Sequence, residues 1–550
     1  MKAAGTDTMK NEIKYEKSEL ELMTTYQLRE ICRREKIMNG VIHPLDKEEL
    51  IQTIMRYMGK RQDFLICDKK KGGEERVEEF LKKTRIVIKP CKELYCQSQI
   101  LAYEGLSIEY YDGYTIPYKK ELSGTNAFLM GSDMTLCAIL NLKEHGGKQE
   151  KLYLTKAAEL ETRETQRKDY RIFCMGRQNS ECMYHLYYGE QTILPEHIEV
   201  YSIPLIDFVV RKPVTLMLPM AIDFGSVNTT AGVYLDSAYF EHVGQQAAIK
   251  NCRENEINYT VFEDGAGESM LLPSVIGVLA VEEEDDKLLF GYDAIRLANA
   301  SYVDEGFCVF YDVKRWIGEY DKEEEIVDRQ GRRRLVKRAE ILRRFFLYII
   351  RKTENRFKCR ISQVHISSPV KQKHYFRRMF REILPEYMTG QETMLDEGMA
   401  VLYNTISNML EQDTLEENEE YEALIIDCGG GTTDLCSYRF RIQDRRAAYK
   451  IYMETAYENG DTDFGGNNLT YRIMQILKIA LVRAKGNQNV SSVKEILEYM
   501  DTDIYRFIDS HGVKAFYQYL EQEYQKAEET LPTRFADFER YNRSEYYKVK

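Results

Sequence analysis

The chain has 550 residues, enough for about three or four domains of ordinary size. Hydrophobic residues make up 43% and charged residues 30%, a globular composition with apolar material for more than one core, and a net charge of −12 argues against a surface built to coat nucleic acid at large. The 12 cysteines are scattered with no CxxC pair, Met1–Glu19 holds no apolar signal core, and no uncharged apolar run reaches the ~20 residues that a spanning helix needs. These features predict a cytoplasmic protein with reduced thiols and no membrane partner.

Residues 1–20 read as a polar tail. Residues 21–60 read as two short helices: Leu28, Ile31 and Cys32 fall at helical spacing, as do Leu50, Ile51, Ile54 and Met55, with Asn39-Gly40 and Pro44 as turn chemistry between them. The pattern "LREICRREKI…DKEELIQTIMRY" resembles a SAP-like module. That resemblance implies DNA or protein binding; a plain helical hairpin docked on the next domain is the competing reading.

Residues 61–215 open with the charged stretch "DKKKGGEERVEEFLKK". Short β-branched and aromatic segments follow, among them "RIVIKP", "TLCAILNL", "YRIFCMG", "MYHLYYG" and "IEVYSIPLIDFVV", separated by Gly, Asn or Pro. They predict a β-rich domain of antiparallel sheet, as a sandwich or barrel. Cys174, Cys182 and His185 could join Cys91 and Cys96 at a zinc site, but the spacing matches no tight ligand knuckle and favours buried structural thiols. From Val214 strands alternate with long helical stretches, which is α/β material. One such stretch is "LVKRAEILRRFFLYIIRKTENRF", with Leu342, Phe345, Phe346 and Ile349 on one face; another is "LTYRIMQILKIALVRA". The acidic run 411–420 reads as a solvated loop.

Two segments of this half are alike, "MAIDFGSVNTTAGVYL" (220–235) and "LIIDCGGGTTDLCSYRF" (424–440), and their Asp223 and Asp427 lie 204 residues apart. Each has an apolar run, Asp-x-Gly, small and hydroxyl residues, and a second apolar run. Each therefore predicts a β-hairpin with an Asp at the strand end and a Gly-rich turn. Glycine lets backbone N–H groups approach a phosphate, hydroxyls add donors, and a carboxylate at each strand end suits Mg²⁺ held through its waters. Two such hairpins clamping one polyphosphate make an ATP cleft.

With these hairpins the chain resembles the ATPase domain of DnaK-type heat-shock chaperones, in the actin-like ATPase superfamily. Further segments follow in that family's order: "VFYDVKRWIG" (309–318), "VHISSPV" (364–370), "DEGMAVLYN" (396–404), "NGDTDFGGNNLTYRIM" (459–474) and "QKAEETLP" (525–532). The resemblance spans about residues 218–532. It implies an α/β, actin-like (ribonuclease H-like) two-lobe ATPase with an incomplete second lobe, preceded by the β-rich domain and the helical module. The first lobe would be 216–410 and the second 421–550. By the resemblance, Asp223 and Asp427 anchor the Mg²⁺ water shell and Asp434 helps hold a monovalent cation. Gly225, Ser226 and Val227 lie against the β- and γ-phosphates, and Gly429, Gly430, Gly431 and Thr432 cradle them from the other lobe. Lys314 reaches the γ-phosphate, Glu397 positions the attacking water with Asp427, and Gly465 and Gly466 border the nucleotide. Each has a plain alternative: Lys314 as a surface lysine, Glu397 as a helix N-terminal carboxylate, Asp434 as a strand-end polar residue, Gly465-Gly466 as an ordinary loop.

The sequence departs from the family in two places. The adenine-side helix carries Gln525, Glu528 and Glu529 where a carboxylate followed by basic residues is the pattern, and no Gly-Gly pair follows Gly466 to supply a third loop. The expectation is a truncated second lobe, because an opened lobe would leave apolar strand edges exposed; completion by another chain and a non-hydrolysing form are the alternatives. The function expected is a Mg-ATP binding and hydrolysing switch, with ATP and ADP as ligands and a protein partner recognised by the N-terminal region. The competing expectation is a nucleotide-sensing scaffold without turnover that binds DNA or protein through residues 1–215.

Overall fold

The computed structural model describes residues 15, 20, 23–34, 46–58, 64–145, 150–244, 249–264, 267–282, 286–299, 307–328, 331–369, 372–387, 395–444, 448–461, 465–499 and 511–530. Most of the polar tail, the turn at Asn39-Gly40 and Pro44, and the last 20 residues lie outside them. The protein is mixed α/β, and its chain divides into two compact units. The first comprises residues 1–220, 231–270 and 347–364; the second comprises 221–230, 271–346 and 365–550.

The first unit begins with the expected helix pair, Thr25–Arg34 and Lys47–Met58. Leu28, Ile31 and Cys32 pack against Leu50, Ile51 and Ile54. Both helices open with reciprocal caps. Gln27 N–H donates to Thr24 Oγ1 at 3.3 Å while Gln27 Oε1 accepts from Thr24 N–H at 2.8 Å, and Asp46 and Glu49 repeat the arrangement at 2.9 and 3.0 Å.

Residues 61–215 form the largely antiparallel sheet expected, curled as a half-barrel. Their main sheet is a single seven-stranded layer in the order Arg85–Lys89, His197–Leu205, Tyr170–Met175, Thr125–Gly131, Leu136–Lys143, Lys151–Thr155, Thr115–Pro117. The first pair is parallel and its neighbour pairs are antiparallel. Helices Gly73–Lys83 and Arg177–Tyr188 cover one face. Both came from segments read otherwise. The charged stretch buries Val77 and Leu81, four residues apart, and turns its charges outward. "MYHLYYG" lies at the end of a helix that buries Ser180, Met183 and Tyr187, a 3- and 4-residue spacing that its strand-favouring aromatic composition had masked. The opposite face packs on the parallel pair Gln99–Tyr103 and Asp207–Arg211 through Ile100, Ala102 and Phe208. With both faces covered, strand Thr125–Gly131 is buried at every position.

The same unit takes in residues from far along the sequence. Strand Val214–Leu216 pairs in parallel with Cys359–Ile361. Lys358 Nζ donates to Ser107 O at 2.9 Å and forms a buried ion pair with Asp112 at 3.0 Å, while Asn355 Oδ1 accepts from Ser107 N–H at 2.9 Å.

In the second unit, strand Ile276–Ala280 pairs antiparallel with Lys287–Phe290 and Val309–Phe310. Strands Glu323–Val327 and Arg333–Lys337 form a hairpin. The expected long helix runs Arg338–Phe357, and Leu342, Phe345, Phe346 and Ile349 are fully buried. Phe224 and Phe380 meet Phe346 edge-on at 5.0 and 4.8 Å between ring centroids. A meander of Tyr421–Cys428, Thr433–Asp444 and Tyr449–Asp461 carries helix Glu397–Glu411 on one face, where Leu402 and Ile406 meet Cys436, Tyr438 and Phe440. Leu424 and Ile426, on the outer strand, are 64% and 66% exposed. Helix Gly466–Ala484 packs on His511–Thr530 through Ile479, Val482, Leu520 and Ala527, and leaves Leu469, Ile473, Leu477 and Leu481 exposed at four-residue spacing. Among the described residues no helix is long and apolar enough to cross a membrane.

The Lys358–Asp112 pair generates a prediction. Removing one member of a buried, hydrogen-bonded pair leaves the other charge uncompensated, at a cost of about 3–5 kcal/mol. Lys358→Met is expected to lower the urea midpoint of the first unit accordingly, and adding Asp112→Leu should recover most of the loss. An unchanged midpoint in the single variant would show the pair to be energetically idle.

Candidate functional site

The two Asp-x-Gly segments form the expected turns, and both turns lie in the second unit. Asp223 is exposed near the end of strand Met220–Phe224, and its Oδ1 accepts from Ser367 Oγ at 3.2 Å. The turn after it closes with Gly225 N–H donating to Asn228 O at 3.0 Å. Ser274 braces this turn: its Oγ donates to Gly225 O at 2.7 Å and its N–H donates to Val227 O at 2.8 Å. The second turn closes in the same way, with Gly429 N–H donating to Thr432 O at 2.9 Å. Asp427 lies directly opposite Asp434 in the antiparallel ladder, Asp427 half-buried and Asp434 buried.

The turns approach one another closely. A Cβ on Gly430 would stand 2.2 Å from Val227 Cγ2, and one on Gly431 would stand 2.7 Å from Ser226 Oγ. The Gly465-Gly466 segment joins them. Gly466 N–H donates to Gly429 O at 2.9 Å and Asn467 N–H donates to Gly430 O at 2.8 Å, and a Cβ on Gly465 would lie 2.6 Å from the Gly430 carbonyl. This is the start of helix Gly466–Ala484, where backbone N–H groups lack helical partners.

Lys314 and Glu397 meet in a buried ion pair, Nζ to Oε1 at 2.7 Å, with the side chains 4% and 11% exposed. Lys314 comes from the 3₁₀ turn Val313–Glu319 and Glu397 from the first position of helix Glu397–Glu411. The reading of Lys314 as a surface lysine is therefore corrected by its burial. Asp396 caps the helix, accepting Met399 N–H at 2.6 Å, and Lys373 pairs with it at 2.5 Å. Glu397 N–H donates to Ser368 O at 3.0 Å. Burial pushes the Glu397 carboxyl up to about 7 against the pull of Lys314, and Asp223 and Asp434 push it the same way as burial. Those two carboxylates are thus within electrostatic reach of Glu397.

Sequence reasoning passed over Asp312, Arg315, Ser367, Asp396 and Lys373. Asp312 is 2% exposed and takes a left-handed backbone, φ 53°. Its carboxyl is raised by burial and drawn back by Arg315. Asp312 and Ser226 lie side by side beneath Gly431, and the Ser226 hydroxyl hydrogen-bonds the Asp312 carboxyl and helps draw it back down. The one sign available was an acidic residue three before an arginine around the lysine already singled out.

On the adenine-side helix, Gln525 and Glu529 are exposed while Glu528 pairs with Lys478 of the neighbouring helix. Among the described residues no three His, Cys, Asp or Glu side chains converge to ligate a metal directly. No known family model matches the sequence, and neither does any curated protein.

The raised Glu397 carboxyl sets a sign for stability against pH. A carboxyl near 4.5 when unfolded and near 7 when folded binds more protons in the folded chain between those values. Its contribution is full below pH ~4.5, falls as pH rises to ~7 and is flat above. Against Glu397→Gln, the wild-type chain should lose roughly 3 kcal/mol over that interval in denaturant titrations. A difference that stays constant or grows with pH would contradict the assignment.

Proposed function

We propose that this chain is a Mg-ATP binding and hydrolysing switch of the actin-like, heat-shock-chaperone kind. The observation that carries the reading is the buried Lys314–Glu397 pair beside two glycine turns in mutual contact. A fixed ammonium in a water-poor site suits charge that develops on a transferring phosphoryl group. A carboxylate titrating near neutral pH suits acceptance of a proton from an attacking water.

Support for the group comes from the junction of the turns, where Gly430, Gly431 and Gly465 let backbone, Ser226 and the buried Asp312 come close together. Asp223 and Asp427 would hold Mg²⁺ through its waters, which this ion gives up reluctantly, and Asp434 would serve a monovalent cation. The metal, when bound, would neutralise phosphate charge. Actin-like two-lobe architecture, cytoplasmic location and a protein partner for the N-terminal region belong to the same proposal.

The second reading, a nucleotide sensor without turnover, draws on the adenine-side helix. Glu528 there is engaged by Lys478, so the charge it carries serves helix packing. In that reading recognition of DNA or protein falls to residues 1–215, with the capped helix pair as its first element.

Calorimetry of Mg-ATP with the 550-residue chain tests the proposal, with Asp427→Ala as the control. Saturable binding lost in the variant is expected. Lys314→Ala should then bind nucleotide and lose turnover by a factor of at least 100, in line with removal of one transition-state donor. Normal turnover in Lys314→Ala would refute the role given to it. Binding without turnover in the wild type would favour the sensor.

A further inference from the structure

The residue after Lys314 is placed to govern the glycine turn. Arg315 folds back on Asp312, Nε to Oδ2 at 2.7 Å, and its Nη2 donates to Gly431 O at 3.3 Å. It is 16% exposed as a side chain, and Asp312 is 1% exposed. Three segments separated in sequence therefore meet at Gly431: the Ser226 turn, the Asp312–Arg315 turn, and the glycine turn itself.

The consequence follows from peptide geometry. The Gly431 carbonyl and the Thr432 N–H belong to one planar trans peptide and point in opposite directions. Fixing the oxygen fixes the N–H. Within Gly429-Gly430-Gly431 the backbone has cheap alternatives, since glycine takes either sign of φ, and a rotated peptide would turn the donor away. A guanidinium can hold a carboxylate and a carbonyl at once, because its donors diverge in a rigid plane; an ammonium on a flexible stem does this poorly. Asp312 supports the arrangement at the cost of a left-handed backbone, which only a short polar side chain among non-glycine residues adopts readily.

We propose that Arg315, anchored by Asp312, is a positioning residue that sets the Gly431–Thr432 peptide plane and so makes the second glycine turn competent to bind the phosphates of a nucleoside triphosphate. The proposal rests on the Mg-ATP reading above, but its first consequence is visible without ligand. Arg315 reaches the turn through the Gly431 carbonyl, so the effect assigned to it on binding is exerted through the backbone.

The test has two arms, each run on the full chain with wild type, Arg315→Ala and Arg315→Lys. In the first, amide hydrogen exchange of the 428–433 segment is measured without nucleotide. Exchange is expected to quicken at least tenfold in both variants while the meander strands on either side stay protected. In the second, calorimetry with Mg-ATP and with tripolyphosphate is expected to show at least tenfold weaker binding of both probes, with lysine failing to rescue. Asp312→Asn, which keeps shape and removes charge, should move both readouts the same way by less, and serves if Arg315→Ala melts too low to be compared. Unchanged exchange, or faster exchange with unchanged affinity, overturns the positioning role. Full rescue by lysine also overturns it, since a point charge would then suffice. A wild-type chain that binds neither probe fails differently: it removes the nucleotide reading, and this proposal with it.

Discussion

Backbone lying against backbone is the constraint on which the centre of the second unit depends. The Gly430 carbonyl sits where a Cβ of residue 465 would be, and Val227 sits where a Cβ of residue 430 would be. Only hydrogen fits the first of these places. Hydrogen bonds from Gly466 and Asn467 to Gly429 and Gly430 then tie a helix start to the turn, so two N–H groups without helical partners are satisfied by the turn itself. Glycines that read in the sequence as phosphate chemistry are thus required by packing alone.

Around this centre the charges are arranged by burial more than by number. Lys314 and Glu397 are both out of water, yet Glu397 remains hard to ionise because desolvation outweighs its partner and other carboxylates lie near. The net charge of −12 has no bearing on that balance. What counts is the capped helix start, where Asp396 takes the amide of Met399 and leaves Glu397 to face Lys314.

Much of this was legible beforehand, and the reasons are particular. The Asp-x-Gly turns could be read because each sits between apolar runs that only strands explain. Long helices could be read because Leu342, Phe345, Phe346 and Ile349 keep one face over two turns. The first unit was harder. Its strands were found, but the aromatic residues of "MYHLYYG" suit a strand as well as a helix, and only the partners of Met183 and Tyr187 decide it. The helix Gly73–Lys83 was hidden by its charges, with only Val77 and Leu81 facing inward along with Gly73. Asp312 and Arg315 were invisible for another reason. A positive φ and a contact to Gly431, 116 residues away, leave no local trace. Leu424 and Ile426, with the helix stripe Leu469 to Leu481, are exposed apolar surface that no sequence pattern distinguished from core.

The way the chain divides between its compact units has a practical meaning. It passes from one to the other after residues 220, 230, 270, 346 and 364. The fourth passage falls inside the continuous helix Arg338–Phe357 and the second inside strand Asn228–Leu235. No contiguous piece of the gene therefore encodes either unit. A single protease nick cannot release one intact, and a fragment beginning near residue 216 would carry a helix end whose Lys358 and Asn355 had lost Asp112 and Ser107.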